Sequence, residues 1–262
     1  MISLLLLTAC KKENKIVVAE VTHSIFYAPQ YVALNEKIFE KNGLNIEIIL
    51  TSGADKVMAA LISKEAQIGL MGPEASIYVY KEGRIDYPIT FVQLTNTDGS
   101  FIVGREKIEN FSFAHLKNKS ILGGRVGGMP EMVLEYILRK NDIEFAKNSD
   151  SKDVNIRTDI SFQAMSGAFI AGEGDFVSLF EPTATEVELN GYGYVLTSLG
   201  EHIDNVAYTC YSTLNSYFSK KQGIIEAFAN SIDEAIKWVY NHTDKEVAEA
   251  IKPYFIETDI NI

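Results

Sequence analysis

Gln67-Ile-Gly-Leu-Met-Gly-Pro-Glu-Ala75 and Phe176-Val-Ser-Leu-Phe-Glu-Pro-Thr-Ala184 align without a gap, with Leu70/Leu179, Pro73/Pro182 and Ala75/Ala184 identical. Each stretch is an apolar run of strand type, a tight turn and the start of a helix. Proline suits the first helical position because the amide it lacks would have had no partner there. The placement of the two copies weighs more than their identities, since both fall at the same point of a repeating strand–turn–helix cycle. Working outward, the first cycle predicts strand Ile16–Val21, helix Pro29–Lys41, strand Asn45–Leu50, helix Asp55–Ser63, strand Gln67–Met71, helix Pro73–Lys81 and strand Ile89–Thr95. The second predicts strand Ser120–Gly123, helix Pro130–Lys140, strand Val154–Ile160, helix Gln163–Ala171, strand Phe176–Phe180, helix Pro182–Leu189 and strand Gly193–Thr197. Val206–Thr213 then leads into helices with an apolar stripe at Ile224, Ile225, Phe228, Ile232, Ala235, Ile236 and Val239. Alternating strands and helices imply α/β lobes with largely parallel sheets. Residues 1–14 read as a leader and tether, 15–104 with 205–262 as a first lobe, and 105–204 as a second lobe inserted into it, so that two segments cross between lobes.

Composition narrows the class. At 262 residues the chain has room for two lobes, and 24 Lys+Arg against 35 Asp+Glu give a formal charge of -11. That balance lacks the basic surface that neutralises phosphates, so nucleic acid is excluded as an expected partner. Cys10 and Cys210 cannot alone make a disulfide framework or a four-ligand zinc site, and no metal or cofactor is expected. No apolar run reaches the ~18–20 residues of a membrane span. Leu7-Thr8-Ala9-Cys10 closes a short apolar run and passes abruptly into Lys11-Lys12-Glu13-Asn14-Lys15. The pattern is similar to a bacterial lipobox, which implies acylation of Cys10 and attachment by lipid alone, outside the cytoplasm; the alternative is an ordinary buried strand. Cys210, in an apolar alternation, reads as a small buried hydrophobe.

The turns after the strands are where an open α/β sheet binds ligands, because helix N-termini present free N–H groups there. Four of the six prolines, Pro29, Pro73, Pro130 and Pro182, mark such turns. If the lobes are copies, two rims face one another across a cleft. Its candidate lining is Ser24, Phe26, Tyr27, Gly72, Glu74, the run Gly124 to Glu131 with Gly127, Gly128, Met129 and Glu131, then Phe180, Glu181 and Thr183, with Asn96, Thr97 and Asp98 after the strand that ends at Thr95. Gly123-Gly-Arg-Val-Gly-Gly-Met-Pro-Glu131 brings backbone close to a ligand or merely permits a tight turn; it has neither P-loop nor dinucleotide spacing. Glu74, Glu131 and Glu181 either complement helix dipoles or contact ligand. As ligand contacts they favour N–H donors or positive charge over a doubly anionic solute, with Arg125 as the counterweight. Phe26, Tyr27, Phe162 and Phe180 are core residues or stacking surfaces for a flat ring. The histidines His23, His115, His202 and His242 are scattered, and no nucleophile elbow occurs, so catalysis is not expected.

Ser24-Ile-Phe-Tyr-Ala-Pro-Gln-Tyr-Val-Ala33, Ile38-Phe-Glu-Lys-Asn-Gly-Leu44, the glycine-rich segment and Phe180-Glu-Pro-Thr183 together resemble the solute-binding proteins of ABC importers, in the branch of sulfonate, nitrate and thiamine-precursor binders. The resemblance runs from about Lys15 onward. It implies a type II periplasmic-binding fold, hinges near Ser100–Gly104 and Ala207–Tyr211, and partnership with a membrane permease and its ATPase. Carried over as ligand contacts are Phe26, Tyr27, Gly72, Glu74, Gly127 to Met129 and Glu181. Such chains are usually longer, so further C-terminal helices are expected beyond Ile262. The Cys-rich motif of the related pyrimidine-synthesising yeast enzymes is absent. Within the branch, a thiamine-related pyrimidine or another heteroaromatic or amine-bearing solute is the leading expectation, with sulfonate or nitrate behind it; a same-fold enzyme of thiamine- or menaquinone-pathway type is the rival.

Overall fold

The computed structural model describes residues 15–51 and 53–262; the acylation expected at Cys10 and the tether expected over residues 1–14 lie outside them. The first half of the chain runs β1 (Ile16–Glu20), α1 (Ala28–Asn35), α2 (Ile38–Lys41), β2 (Ile46–Leu50), α3 (Ala54–Ser63), β3 (Ile68–Met71), α4 (Glu74–Lys81), β4 (Pro88–Thr95). There follow β5 (Ser100–Gly104), β6 (Lys119–Leu122), α5 (Met129–Lys140), β7 (Phe145–Lys147), β8 (Val154–Arg157), α6 (Met165–Ile170), β9 (Phe176–Phe180), α7 (Thr183–Leu189) and β10 (Tyr194–Ser198). The chain closes with β11 (Thr209–Leu214), α8 (Asn215–Lys220), α9 (Gln222–Tyr240) and α10 (Asp244–Ile251).

The strands form two sheets in the orders β2-β1-β3-β11-β4 and β10-β5-β9-β6-β8-β7. Read from opposite ends the orders match, β1 answering to β6, β2 to β8, β3 to β9 and β4 to β10, with β7 an extra edge strand. In each sheet one interior strand runs against the rest, β11 in the first and β5 in the second. Even the register repeats. Cys210, Tyr211 and Ser212 face Met71, Leu70 and Gly69, while Ser100, Phe101 and Ile102 face Phe180, Leu179 and Ser178. Those partners are the same columns that align in the sequence.

Helices cover both faces of each sheet, so the central strands carry continuous apolar runs and not alternating ones. Every residue of β3, β9 and β11 is buried. In the first lobe Tyr31, Phe39, Phe228 and Ile232 pack on one face, while Val57, Leu61 and Met71 pack on the other. In the second, Leu134, Ile137 and Ile156 answer to Met165, Phe169 and Val187. Each such side chain contributes roughly 1.5–3 kcal/mol by leaving water. Phe26 touches the cores of both lobes.

Three expectations are corrected. Helix Pro29–Lys41 is broken in two, because Lys37 adopts a left-handed conformation with φ 57° between α1 and α2. Ser100–Gly104 is not a hinge in the first lobe but strand β5 of the second sheet, paired on both sides by β9 and β10. The first crossing therefore falls at 96–99, before the expected boundary at 104, and the second falls at 203–208, ahead of β11. The two crossings run side by side: Val206 N donates to Asn96 O at 2.8 Å and Tyr208 N to Thr95 O at 3.1 Å. Gly99 is required there, since a Cβ would stand 2.6 Å from the Phe26 ring.

Candidate functional site

The carboxyl ends of β1, β3, β6 and β9 meet across the seam between the lobes, and a cavity of about 580 Å³, its open mouth included, lies between them. The first lobe supplies Val21, Thr22, Tyr27, Gly53, Ala54, Gly72, Glu74 and Thr209, the second Gly124, Arg125, Gly128, Met129, Pro130, Phe162 and Phe180, and the second crossing Tyr208. Of the residues expected from sequence, Tyr27, Gly72, Glu74, Gly124, Arg125, Gly128, Met129, Pro130, Phe162 and Phe180 thus come together on one wall or the other.

Glu74 opens α4, and its side chain is only 6% exposed. Oε1 lies 3.5 Å from Arg125 Nη2 across the seam, whereas the buried Oε2 has no hydrogen-bond partner. Burial lifts its carboxyl above the ordinary carboxylate range, against the opposing pull of backbone amides and Arg125. The carboxylate folds over Gly72, where a Cβ would stand 2.0 Å from Glu74 Oε2 and 2.5 Å from Met129 Cγ. Only glycine leaves room for this approach. Arg125 also reaches toward Asp55 of α3, 3.8 Å from Oδ1. A buried carboxylate oxygen without a donor costs free energy that an N–H or cationic group of a ligand would recover. The rest of the wall is largely aromatic and apolar.

Other expected residues are placed differently. Ser24 Oγ donates to Glu181 O at 2.6 Å, joining the lobes beside the cavity and not lining it. Phe26 stacks behind the wall on Phe180, ring centres 5.7 Å apart, and edge-on to Tyr208 at 6.0 Å. Gly127 carries a left-handed φ of 68° and its carbonyl accepts from Tyr78 of the first lobe at 3.0 Å. Glu131 is turned inward: its carboxylate accepts from Gly127 N at 2.9 Å and pairs with Lys147 at 2.8 Å, bracing the glycine-rich loop from behind. Glu181 caps α7, accepting from Thr185 N at 3.0 Å and Thr185 Oγ1 at 2.8 Å. Asn96 is exposed at the first crossing, away from the cavity lining. Asp98 is buried in that crossing, where Ser100 N and Oγ both donate to Oδ1 at 2.6 Å; burial nonetheless pushes its carboxyl up to about 6.

Sequence reasoning did not single out Val21, Thr22, Gly53, Ala54, Tyr208 or Thr209 as lining residues. Most are small or apolar and carry no chemical signal; Tyr208 ends the second crossing and Thr209 opens β11, neither at a strand-to-helix turn. His23 stands near the rim but serves the first lobe, with Nδ1 2.8 Å from the buried Glu20 carboxylate and Nε2 2.8 Å from Tyr254 O. Both neighbours are acceptors, and the Glu20 bond above all raises the ring's pKa against the opposing pull of burial.

Two α/β lobes, each lending the other a strand and sharing a cavity at the seam, make this a periplasmic-binding-protein fold. The alkanesulfonate-binding protein SsuA of Xanthomonas axonopodis pv. citri, bound to MOPS, superposes with a TM-score of 0.73 at 14% identity over 91% of this chain and 78% of its own. The periplasmic nitrate-binding protein NrtA of Synechocystis PCC 6803 gives 0.72 at 14% identity over 91% of this chain and 65% of its own. Residues 25–246 match the family described as NMT1/THI5 like, and the chain belongs to that family. YtlA of Bacillus subtilis (strain 168), a presumptive binding protein, is 43% identical over 259 residues, covering 98% of this chain and 76% of that one.

Proposed function

We propose that the chain is the extracytoplasmic solute-binding subunit of an ABC importer, held to the bacterial membrane through acylated Cys10. It closes residues 15–95 with 209–262 against residues 100–202 about the crossings at 96–99 and 203–208, and passes an unchanged solute to a permease and its ATPase. The family, the fold and the curated relative support the binding reading, and the seam cavity supports capture between lobes. The observation that carries the ligand class is the unpartnered Glu74 Oε2 in an aromatic-lined cavity. A flat solute with an N–H or ammonium edge satisfies it, stacking against Phe162, Phe180 or Tyr208, and a thiamine-related pyrimidine is the leading case.

A second reading, a sulfonate or nitrate, is favoured by Arg125 at the cavity and by the ligands in the names of the two structural neighbours. Calorimetric titration of the purified protein against an aminopyrimidine, taurine and nitrate separates the two. Binding of the aminopyrimidine alone is expected. Tight binding of taurine or nitrate without a response to the pyrimidine reverses the order, and chemical turnover of any of them overturns the binding reading in favour of a same-fold enzyme.

A further inference from the structure

At the opposite end of the first sheet from the seam cavity lies a second hollow, lined by Lys64, Gln67, Ser216, Tyr217, Lys220 and Lys221 among others, with no acidic residue in its lining. In a chain of formal charge -11 this is a local inversion of sign. Among the described residues none of the three lysines takes part in an ion pair. Asp86 accepts from Ser216 N and Oγ at 2.8 and 2.7 Å, and Glu65 is the exposed neighbour of Lys64.

The hollow also adjoins the place where the chain comes into the lobe. Gln67 of its wall accepts from Val17 N through Oε1 at 2.9 Å, and Gln67 N donates to Val17 O at 2.9 Å. Val17 is the second residue of β1, and Lys11, Lys12 and Lys15 precede it in sequence. Between Cys10 and Ile16 an extended chain spans at most roughly 20 Å, so an acyl group on Cys10 would hold this pole close to the lipid headgroups.

We propose that this pole of the first lobe is a docking surface for an anionic bilayer, with Lys64, Lys220 and Lys221 taking up the phosphate groups of acidic lipids. The geometry of approach rests on the reading of Cys10 as an anchor, but the charge complementarity does not. The experiment therefore removes the anchor. The full chain carrying Cys10→Ser is co-sedimented at low ionic strength with vesicles of phosphatidylglycerol and phosphatidylcholine, and with phosphatidylcholine alone.

Binding to the anionic vesicles only is expected, weakening about fivefold for each of Lys64→Gln, Lys220→Gln and Lys221→Gln and about a hundredfold for the three together. Lys140→Gln on the second lobe leaves it unchanged. Equal binding to both vesicles, an undiminished triple variant whose circular dichroism matches the parent, or an equal loss with Lys140→Gln overturns the proposal. So does occupation of the hollow by inorganic phosphate without vesicle binding. An unmodified Cys10 in the mass spectrum of the native protein would count against the anchor while leaving these outcomes as they are.

Discussion

The turn after β3, Gly72-Pro-Glu-Ala75, and the turn after β9, Glu181-Pro-Thr-Ala184, occupy equivalent positions in the two lobes, yet use their acidic residue in opposite ways. Glu181 turns back on its own helix and fills both carboxylate oxygens with the amide and hydroxyl of Thr185. Glu74, two positions later in the alignment, opens its helix with one oxygen near Arg125 and the other buried without a donor. One carboxylate is consumed by the fold; the other keeps a buried oxygen that the fold leaves without a donor. A glutamate beside a helix-starting proline is thus not a ligand contact by virtue of its address. What distinguishes the two is that Thr185 fills both oxygens of Glu181, while Oε2 of Glu74 is left without a hydrogen-bond partner.

The largest expected effect comes from the unpaired member. Glu74→Gln should cost an N–H-donor ligand ~10–100-fold in affinity by calorimetry, the loss of a charged hydrogen-bond acceptor, while the ligand-free chain melts no lower. The pH dependence has opposite signs in the two states. A carboxyl whose folded pKa lies above 4.5 stabilises the ligand-free fold as pH falls toward that value, whereas affinity for the donor ligand drops through the same interval, and Glu74→Gln flattens both. An affinity that holds constant through that interval in the parent would break the comparison.

Gly72→Ala sharpens it. The added methyl would overlap Glu74 Oε2 and Met129 Cγ at the seam, so about a tenfold loss of affinity with little change in melting is expected, at a position whose counterpart in the other lobe already carries a side chain. Smallest is Glu181→Ala, which removes the cap on Thr185 for about 1 kcal/mol of unfolding free energy in a denaturant titration. It should leave ligand affinity within a factor of two, since the bond from Ser24 goes to the Glu181 carbonyl and survives.

Much of the fold was legible because its signals are local. Apolar runs such as Phe176–Phe180, bounded by turn residues, fix strands, and Pro73 and Pro182 mark where helices begin. The ungapped alignment of the two turns anticipated a register that recurs in both sheets. Ser100–Gly104 was illegible as a strand because it follows Asp98-Gly99 and is made a strand only by partners 72 to 97 residues later in sequence. The site divides along the same line. Tyr27, Gly72, Glu74, Arg125, Gly128, Met129 and Phe180 line the cavity, and all announce themselves by type and by position after a strand. Ala54 and Thr209 line it equally, but their contribution is shape, which no single residue type encodes. Glu131 has the same address as Glu74, and only the coordinates show Gly127 and Lys147 holding its carboxylate.

The exchange of β5 and β11 has a consequence for how such a molecule can be divided. Each half of the duplication completes its sheet with a strand the chain lays down only after leaving the other half. Severing both crossings would give fragments in which 100–202 holds a complete sheet, while the remaining one must be assembled from two separate pieces of polypeptide. The inserted lobe is thus the unit that could travel between genes intact, and its host is the one that must wait for the last strand to arrive from the ribosome.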